Sequence, residues 1–76
     1  MEVKVYSTPT CPYCKMAKDY LSSKGISYQN FDVSVDKSAA SEMVKISGQM
    51  GVPVIVINGQ VMVGFDKSRI NSLLEG

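Results

Sequence analysis

Six consecutive residues, Val52 to Ile57, carry no polar side chain. A run of that length suits a strand and falls far short of a membrane span, which takes about 20 residues. A strand apolar at nearly every position has both of its faces covered. The chain has 76 residues, enough for one domain. It therefore has to build a single sheet and lay helix against each side of it.

The rest of the chain supplies those elements. Val3 to Ser7 is rich in β-branched and aromatic residues and predicts a first strand, which Thr8-Pro9-Thr10 breaks. Pro12 suits a first helical position. Cys14, Ala17 and Leu21 then share one helix face at spacings of three and four, with Tyr20 on its flank, and Lys24-Gly25 ends the helix. Ser27 to Val33 predicts a second strand, with Phe31 and Val33 on one face and Asn30 and Asp32 on the other, the alternation of an edge strand. Ser34 or Asp36 can cap a second helix, whose inward stripe is Ala40, Met43, Val44 and Ser47 and whose end is Gly48. After the apolar run, Asn58-Gly59 is a two-residue hairpin signal, and Gln60 to Val63 returns as a fourth strand. Asp66 caps a last helix with Ile70, Leu73 and Leu74 turned inward. The order β-α-β-α-β-β-α predicts one α/β domain over residues 1–76. Its four-stranded mixed sheet has helices on both sides, a right-handed parallel crossover at its start, and the hairpin as its only antiparallel pair.

Eight basic and seven acidic residues leave a formal net charge of +1. That balance gives no electrostatic footprint for nucleic acid or an anionic membrane. The opening residues, Met-Glu-Val-Lys-Val-Tyr, lack the basic-then-apolar pattern of a secretory leader, so a cytoplasmic protein is expected.

Cys11 and Cys14 are the only cysteines, and there is no histidine. A structural zinc site wants four ligands, mostly Cys and His, and one chain offers two. Serine-hydrolase and papain-like sites lack their histidine base. A disulfide between the pair closes a loop of about four residues, worth roughly 2 kcal/mol, little for a structural staple. In a cytosolic chain such a pair reads as redox-active.

Cys11 stands where the first strand gives way to the helix, near unpaired backbone N–H groups and the positive end of the helix dipole. Both stabilise negative charge on sulfur. No Asp or Glu lies between Ser7 and Lys18 to oppose them, and Lys15 adds positive potential. Cys11 is therefore the candidate nucleophile, which attacks a disulfide and forms a mixed disulfide. Cys14, deeper in the helix, is the candidate resolving thiol, which attacks Cys11 and releases reduced substrate. Pro12 stiffens the loop, and Tyr13 projects beside the thiol. A lone C-x-x-C also fits two inert buried cysteines or half of a metal site. Its place after the first strand, at a helix start, selects the redox reading.

Cys11-Pro12-Tyr13-Cys14 is the most familiar active-site sequence of the glutaredoxins, and the chain around it resembles that family from end to end. Val5-Tyr6-Ser7 looks like the strand before the motif, Val52-Pro53 like the family's Val-Pro pair, and Gly64-Phe65-Asp66 like its C-terminal Gly-x-Asp element. The short chain is more similar to small bacterial glutaredoxin-like proteins and redoxins than to the larger glutathione-dependent enzymes. The resemblance implies a thioredoxin fold. It also implies a cis Val52–Pro53 bond, although only about 5–6% of X-Pro bonds are cis and composition alone leaves Pro53 a trans residue opening a strand. In the family this proline packs beside the cysteines. The residue before it, here Val52, offers its backbone N–H and C=O to an extended thiol substrate.

The resemblance further implies a substrate or glutathione site lined by Pro12, Tyr13, Val52, Pro53, Gly64, Phe65 and Asp66. Asp66 would receive the γ-glutamyl end of glutathione; it reads equally as a simple N-cap, and the two roles can coexist. No bound cofactor is implied, with glutathione as the co-substrate. Partners would be disulfide-containing proteins or glutathione, with thioredoxin reductase and ribonucleotide reductase as further candidates. Neither nucleic acid nor membrane is expected, and the chain is expected to be a monomer.

Three departures weaken the glutathione reading. Thr8 stands where many glutathione users carry Lys or Arg, Val63-Gly64 replaces a Gly-Gly pair, and Lys67 replaces a second acid. Gln49 holds a position often basic or Gln and decides little. A lost charge-assisted hydrogen bond costs on the order of 1.5–3 kcal/mol, so poor use of glutathione is expected, with thioredoxin reductase as the alternative donor. Some relatives hold a [2Fe–2S] cluster between subunits, but they often have Cys-Gly-Phe-Ser or lack the motif proline. Here Pro12 stiffens the loop and Cys14 competes for Cys11, which disfavours that reading. Tyr6, Tyr20 and Tyr28 read as structural, and Met16, Met43, Met50 and Met62 as packing. Phe65 is the best candidate for an exposed partner contact, and Lys15 and Lys18 read as a solvated face.

Overall fold

The computed structural model describes residues 2–75. Along the chain lie β1 (Val3–Ser7), α1 (Pro12–Ser23), β2 (Gln29–Asp32), α2 (Lys37–Ser47), β3 (Val54–Ile57), β4 (Gln60–Val63) and α3 (Lys67–Glu75). The strands form one sheet in the order β2-β1-β3-β4. This is the thioredoxin fold, and the predicted element order is the observed one.

Alternation along the strands divides the core in two. Val3, Val5, Ile55, Ile57 and Met62 meet Ala17 and Leu21 of α1 and Ile70 of α3. Tyr6 and Val54, with half-buried Phe31, Val56 and Val61, meet Ala39 and Met43 of α2. Both faces of β3 are thus covered, as its apolar run requires. Tyr6 stacks on Phe31 with ring centroids 5.1 Å apart, and its hydroxyl donates to Glu42 Oε1 at 3.0 Å. That contact gives the one polar end of a buried ring a partner.

The hairpin is not the only antiparallel pair. β1 and β2 are parallel, but β1 and β3 are antiparallel, with Val5 opposite Ile55. The reason lies in α2. Its eleven residues span about 16 Å, enough to cross two strand spacings of about 5 Å each. It contacts both β1 and β4. A helix lying across the strands, rather than back along them, returns the chain to the end of the sheet it left. β3 then runs against β1. Periodicity within an element carries no information about such a return.

Smaller differences have local causes. β2 and β3 are shorter than expected, at four residues each. On α2 the buried residues are Ala39 and Met43, while Val44 is exposed. Asp36, not Ser34, is the cap, accepting the Ala39 N–H at 3.0 Å. Met43 and Met62 are core residues, but Met16 and Met50 are exposed and do not pack as expected.

Candidate active site

Pro12 at the first position of α1 needs no hydrogen-bond partner for a backbone N–H, and its ring holds a helical φ. Cys11 is the N-cap, in extended conformation. Its Sγ accepts the Cys14 N–H at 3.2 Å, taking the place of the hydroxyl or carboxylate usual at a cap. A sulfur there receives a backbone donor and the positive end of the helix. Cys11 is half-buried and Cys14 is fully buried, and both are free thiols.

The third piece comes from the loop before β3. Cys11 Sγ donates to the Val52 carbonyl at 4.0 Å, and the Val52–Pro53 bond is cis. The Pro53 carbonyl accepts the Gly64 N–H at 2.8 Å. Gly64 has φ +87°, a conformation that a side chain would strain. The link ties the Val52-Pro53 segment to the loop that leads into α3. Tyr13 stands out beside the thiol, 61% exposed.

Of the other expected site residues, Asp66 acts as the N-cap of α3, its Oδ1 accepting the Arg69 N–H at 3.2 Å. Phe65 is half-buried rather than exposed. It packs against the core, and its ring meets Tyr20 edge-on at 6.0 Å between centroids. Lys67 extends its ammonium over the Tyr20 ring at 5.7 Å from the centroid. Lys18 differs from the plain solvated face expected of it: it is half-buried, whereas Lys15 is exposed. The signal for it was in the sequence, since Lys18 follows Cys14 by four residues and shares its helix face.

Burial pushes the Cys14 thiol from 9.0 up to about 11. A hydrogen bond and the charge of Cys11 push the same way, while a backbone hydrogen bond from Thr8 and the charge of Lys18 pull it down. Burial likewise raises the Tyr6 phenol from 10.0 to about 12, helped by Glu42. Both groups favour the protonated form when folded. Their contribution to stability is complete below pH 9, the ordinary value of the thiol, and is lost as pH rises through the folded values of about 11 and about 12. The urea midpoint should hold level to about pH 9 and then fall toward pH 12. Tyr6→Phe should flatten the part above pH 10, where the unfolded phenol ionises. A midpoint that rises with pH in that window would reverse the assignment.

Comparison with known proteins agrees with this geometry. A glutaredoxin family model matches residues 3–62. An uncharacterized glutaredoxin-like 8.6 kDa protein in the rubredoxin operon of Clostridium pasteurianum is 49% identical over 73 residues, 96% of this chain and 97% of that one. Glutaredoxin 3 of Escherichia coli is 44% identical over 64 residues, 84% of this chain and 77% of that one. Among solved structures, a mutant of a thioredoxin-like protein superposes with a TM-score of 0.92 at 31% identity, covering 97% of this chain and 95% of that one.

Proposed function

The chain belongs to the glutaredoxin family of thiol–disulfide oxidoreductases, and we propose that it is a dithiol electron carrier in which Cys11 attacks and Cys14 resolves. The observation that carries this reading is the pairing of a half-buried N-cap sulfur with a fully buried sulfur one turn behind it. Cys11 meets the substrate disulfide, forms a bond to one sulfur and releases the other as a thiolate. Cys14 then attacks Cys11 and releases the second substrate sulfur. Two electrons and two protons pass to the substrate, and the chain is left with a Cys11–Cys14 disulfide. Because the redox centres are side-chain sulfurs, the chemistry needs no bound cofactor. Substrates are protein disulfides or glutathione mixed disulfides, held against Val52 by backbone pairing beside Pro53 and Tyr13.

Glutathione is a poor donor in this reading. Thr8 supplies no cation for its glycyl carboxylate. Val63 places an exposed side chain beside Gly64, where the family often has a second glycine. Lys67 carries a positive charge next to Asp66, where an acid would attract the γ-glutamyl amino group. A thioredoxin-reductase-type flavoenzyme is the donor proposed instead, and a cytoplasmic location follows from that dependence on reductases. No helix among the described residues is long and apolar enough to cross a membrane.

The test is to oxidise the protein and follow its reduction by two systems. One is glutathione with glutathione reductase, the other NADPH with thioredoxin reductase. The expected result is turnover with the second at least about tenfold faster than with the first, the smaller loss that one missing charge-assisted bond brings. Equal or faster turnover with glutathione would overturn the donor assignment and leave the dithiol chemistry standing.

A further inference from the structure

Cys14 presents a physical problem to the mechanism just proposed. Its sulfur has to become an attacking thiolate while fully buried, in surroundings that disfavour charge. The face of the sheet under α1 supplies Val5, Ile55 and Met62, and α3 supplies Ile70, all apolar. The first turn of α1 holds no acidic residue. Asp19 and Asp66 are exposed, and Asp66 is engaged as a cap. Of the ionisable groups, the charges of Cys11 and Lys18 act on Cys14, Cys11 raising its pKa and Lys18 lowering it. Among the described residues no carboxylate shifts its titration.

Lys18 is placed to answer this. Residues four apart on a helix are neighbours, with about 5–6 Å between their Cβ atoms. Lys18 is half-buried, so its stem lies along the protein rather than in solvent. Among the described residues it forms no ion pair; the pair present is Lys4 with Glu2 at 3.4 Å. Its charge is therefore not neutralised by a carboxylate.

We propose that Lys18 is a positioning residue for the resolving step, its ammonium stabilising the negative charge on Cys14 as that sulfur attacks Cys11. The proposal rests on the reading of Cys14 as the resolving thiol. In the step, the Cys14 proton leaves to solvent and a bond forms between the Cys14 and Cys11 sulfurs. The bond from Cys11 to the substrate sulfur breaks, and that sulfur departs as a thiolate. Cys14 is oxidised and the substrate sulfur is reduced. The pull of Lys18 on Cys14 acts against its burial, the direction the step requires.

Stopped-flow reaction of the reduced protein with dithiobis-nitrobenzoate separates the two steps. Cys11 releases one coloured thiolate on attack, and Cys14 releases the second on resolution. The readout is the ratio of second-phase to first-phase rate, followed across pH. Loss of Lys18 should raise the second-phase pH midpoint and slow the second phase of Lys18→Met at pH 7, because higher intrinsic nucleophilicity returns only part of the lost thiolate. Lys18→Arg should restore both rate and midpoint, which a purely structural role for the lysine stem would not predict. Lys18→Gln gives the same reading should the methionine variant fold poorly. A second phase unchanged in rate and midpoint in Lys18→Met overturns the proposal. With the reagent limited to one equivalent, the wild type separates the two ideas: attack and resolution together should release two coloured thiolates per reagent molecule, whereas Cys14→Ser should hold a mixed disulfide after the first. If the wild type also stops at one, the resolving role of Cys14 fails; if it releases two while Lys18→Met is unaffected, only the role of Lys18 fails.

Discussion

Cys11→Ser is expected to abolish reduction of every disulfide substrate, by on the order of a thousandfold or more, as loss of a covalent nucleophile does. Cys14 cannot take over, because its sulfur is fully buried behind the helix start and burial pushes its thiol up to about 11. Cys14→Ser should behave differently. It should lose reduction of protein disulfides, since the mixed disulfide on Cys11 has no internal partner to resolve it. It should keep exchange with glutathione mixed disulfides, because a small thiol from solution can reach half-buried Cys11. The paired assay is turnover of an insulin-type protein disulfide and of a small glutathione mixed disulfide for both variants. Measurable turnover of either substrate by Cys11→Ser would move the nucleophile elsewhere. Full protein-disulfide activity in Cys14→Ser would remove its resolving role.

What could be read before the structure follows the range of the interactions. The buried face of α1, Cys14, Ala17 and Leu21, is the predicted one, because a 3.6-residue period is a local property. The Asn58-Gly59 turn is equally local. Both residues have positive φ, 51° and 85°, which a two-residue turn matched to strand twist requires. On α2 the predicted stripe of Ala40, Met43, Val44 and Ser47 is partly out of phase with the buried pair Ala39 and Met43. Ala39-Ala40 and Met43-Val44 place small and large apolar residues at two adjacent helical phases, and either phase gives a plausible stripe. Packing chooses between them, since Ala39 and Met43 meet Tyr6 and Val54. The direction of β3 against β1 is set by the path of α2 over the sheet and lies beyond any local pattern. At the site, the motif cysteines were legible from a strand-to-helix break with a proline after it. The cis bond at Pro53 was legible only through family resemblance. The half-burial of Phe65 is not legible locally, because its edge-on contact with Tyr20 joins residues 45 positions apart in the chain. The half-burial of Lys18 runs against the usual solvation of helical lysines, and its value depends on a buried thiol four residues earlier.

The largest loss of stability is expected at Ile55. It is fully buried in the middle of the sheet, opposite Val5 on β1 and Met62 on β4, in the cluster that Leu21 and Ile70 close from the helical side. Truncation to alanine removes three carbons from a site hemmed in by strands on two sides and helices above, so little collapse into the space is available. Such substitutions cost about 2–5 kcal/mol. A domain of this size is stable by an amount near the low end of about 5–15 kcal/mol. Each kcal/mol shifts the midpoint of a 60–100-residue domain by roughly 4–8 °C, so Ile55→Ala should lower Tm by about 8–40 °C. Val44→Ala, also an apolar truncation but on the exposed face of α2, should change stability by no more than about 0.5 kcal/mol. Thermal unfolding followed by circular dichroism decides between them. A drop below about 5 °C at Ile55, or equal drops at the two positions, would mean that the core is not centred on β3. The consequence reaches the site, because β3 begins one residue after Pro53 and anchors the segment that presents Val52 to Cys11. Ile55→Ala should therefore lose reductase activity at the temperature where its unfolding begins, well below the wild-type limit, while Val44→Ala keeps the wild-type temperature profile.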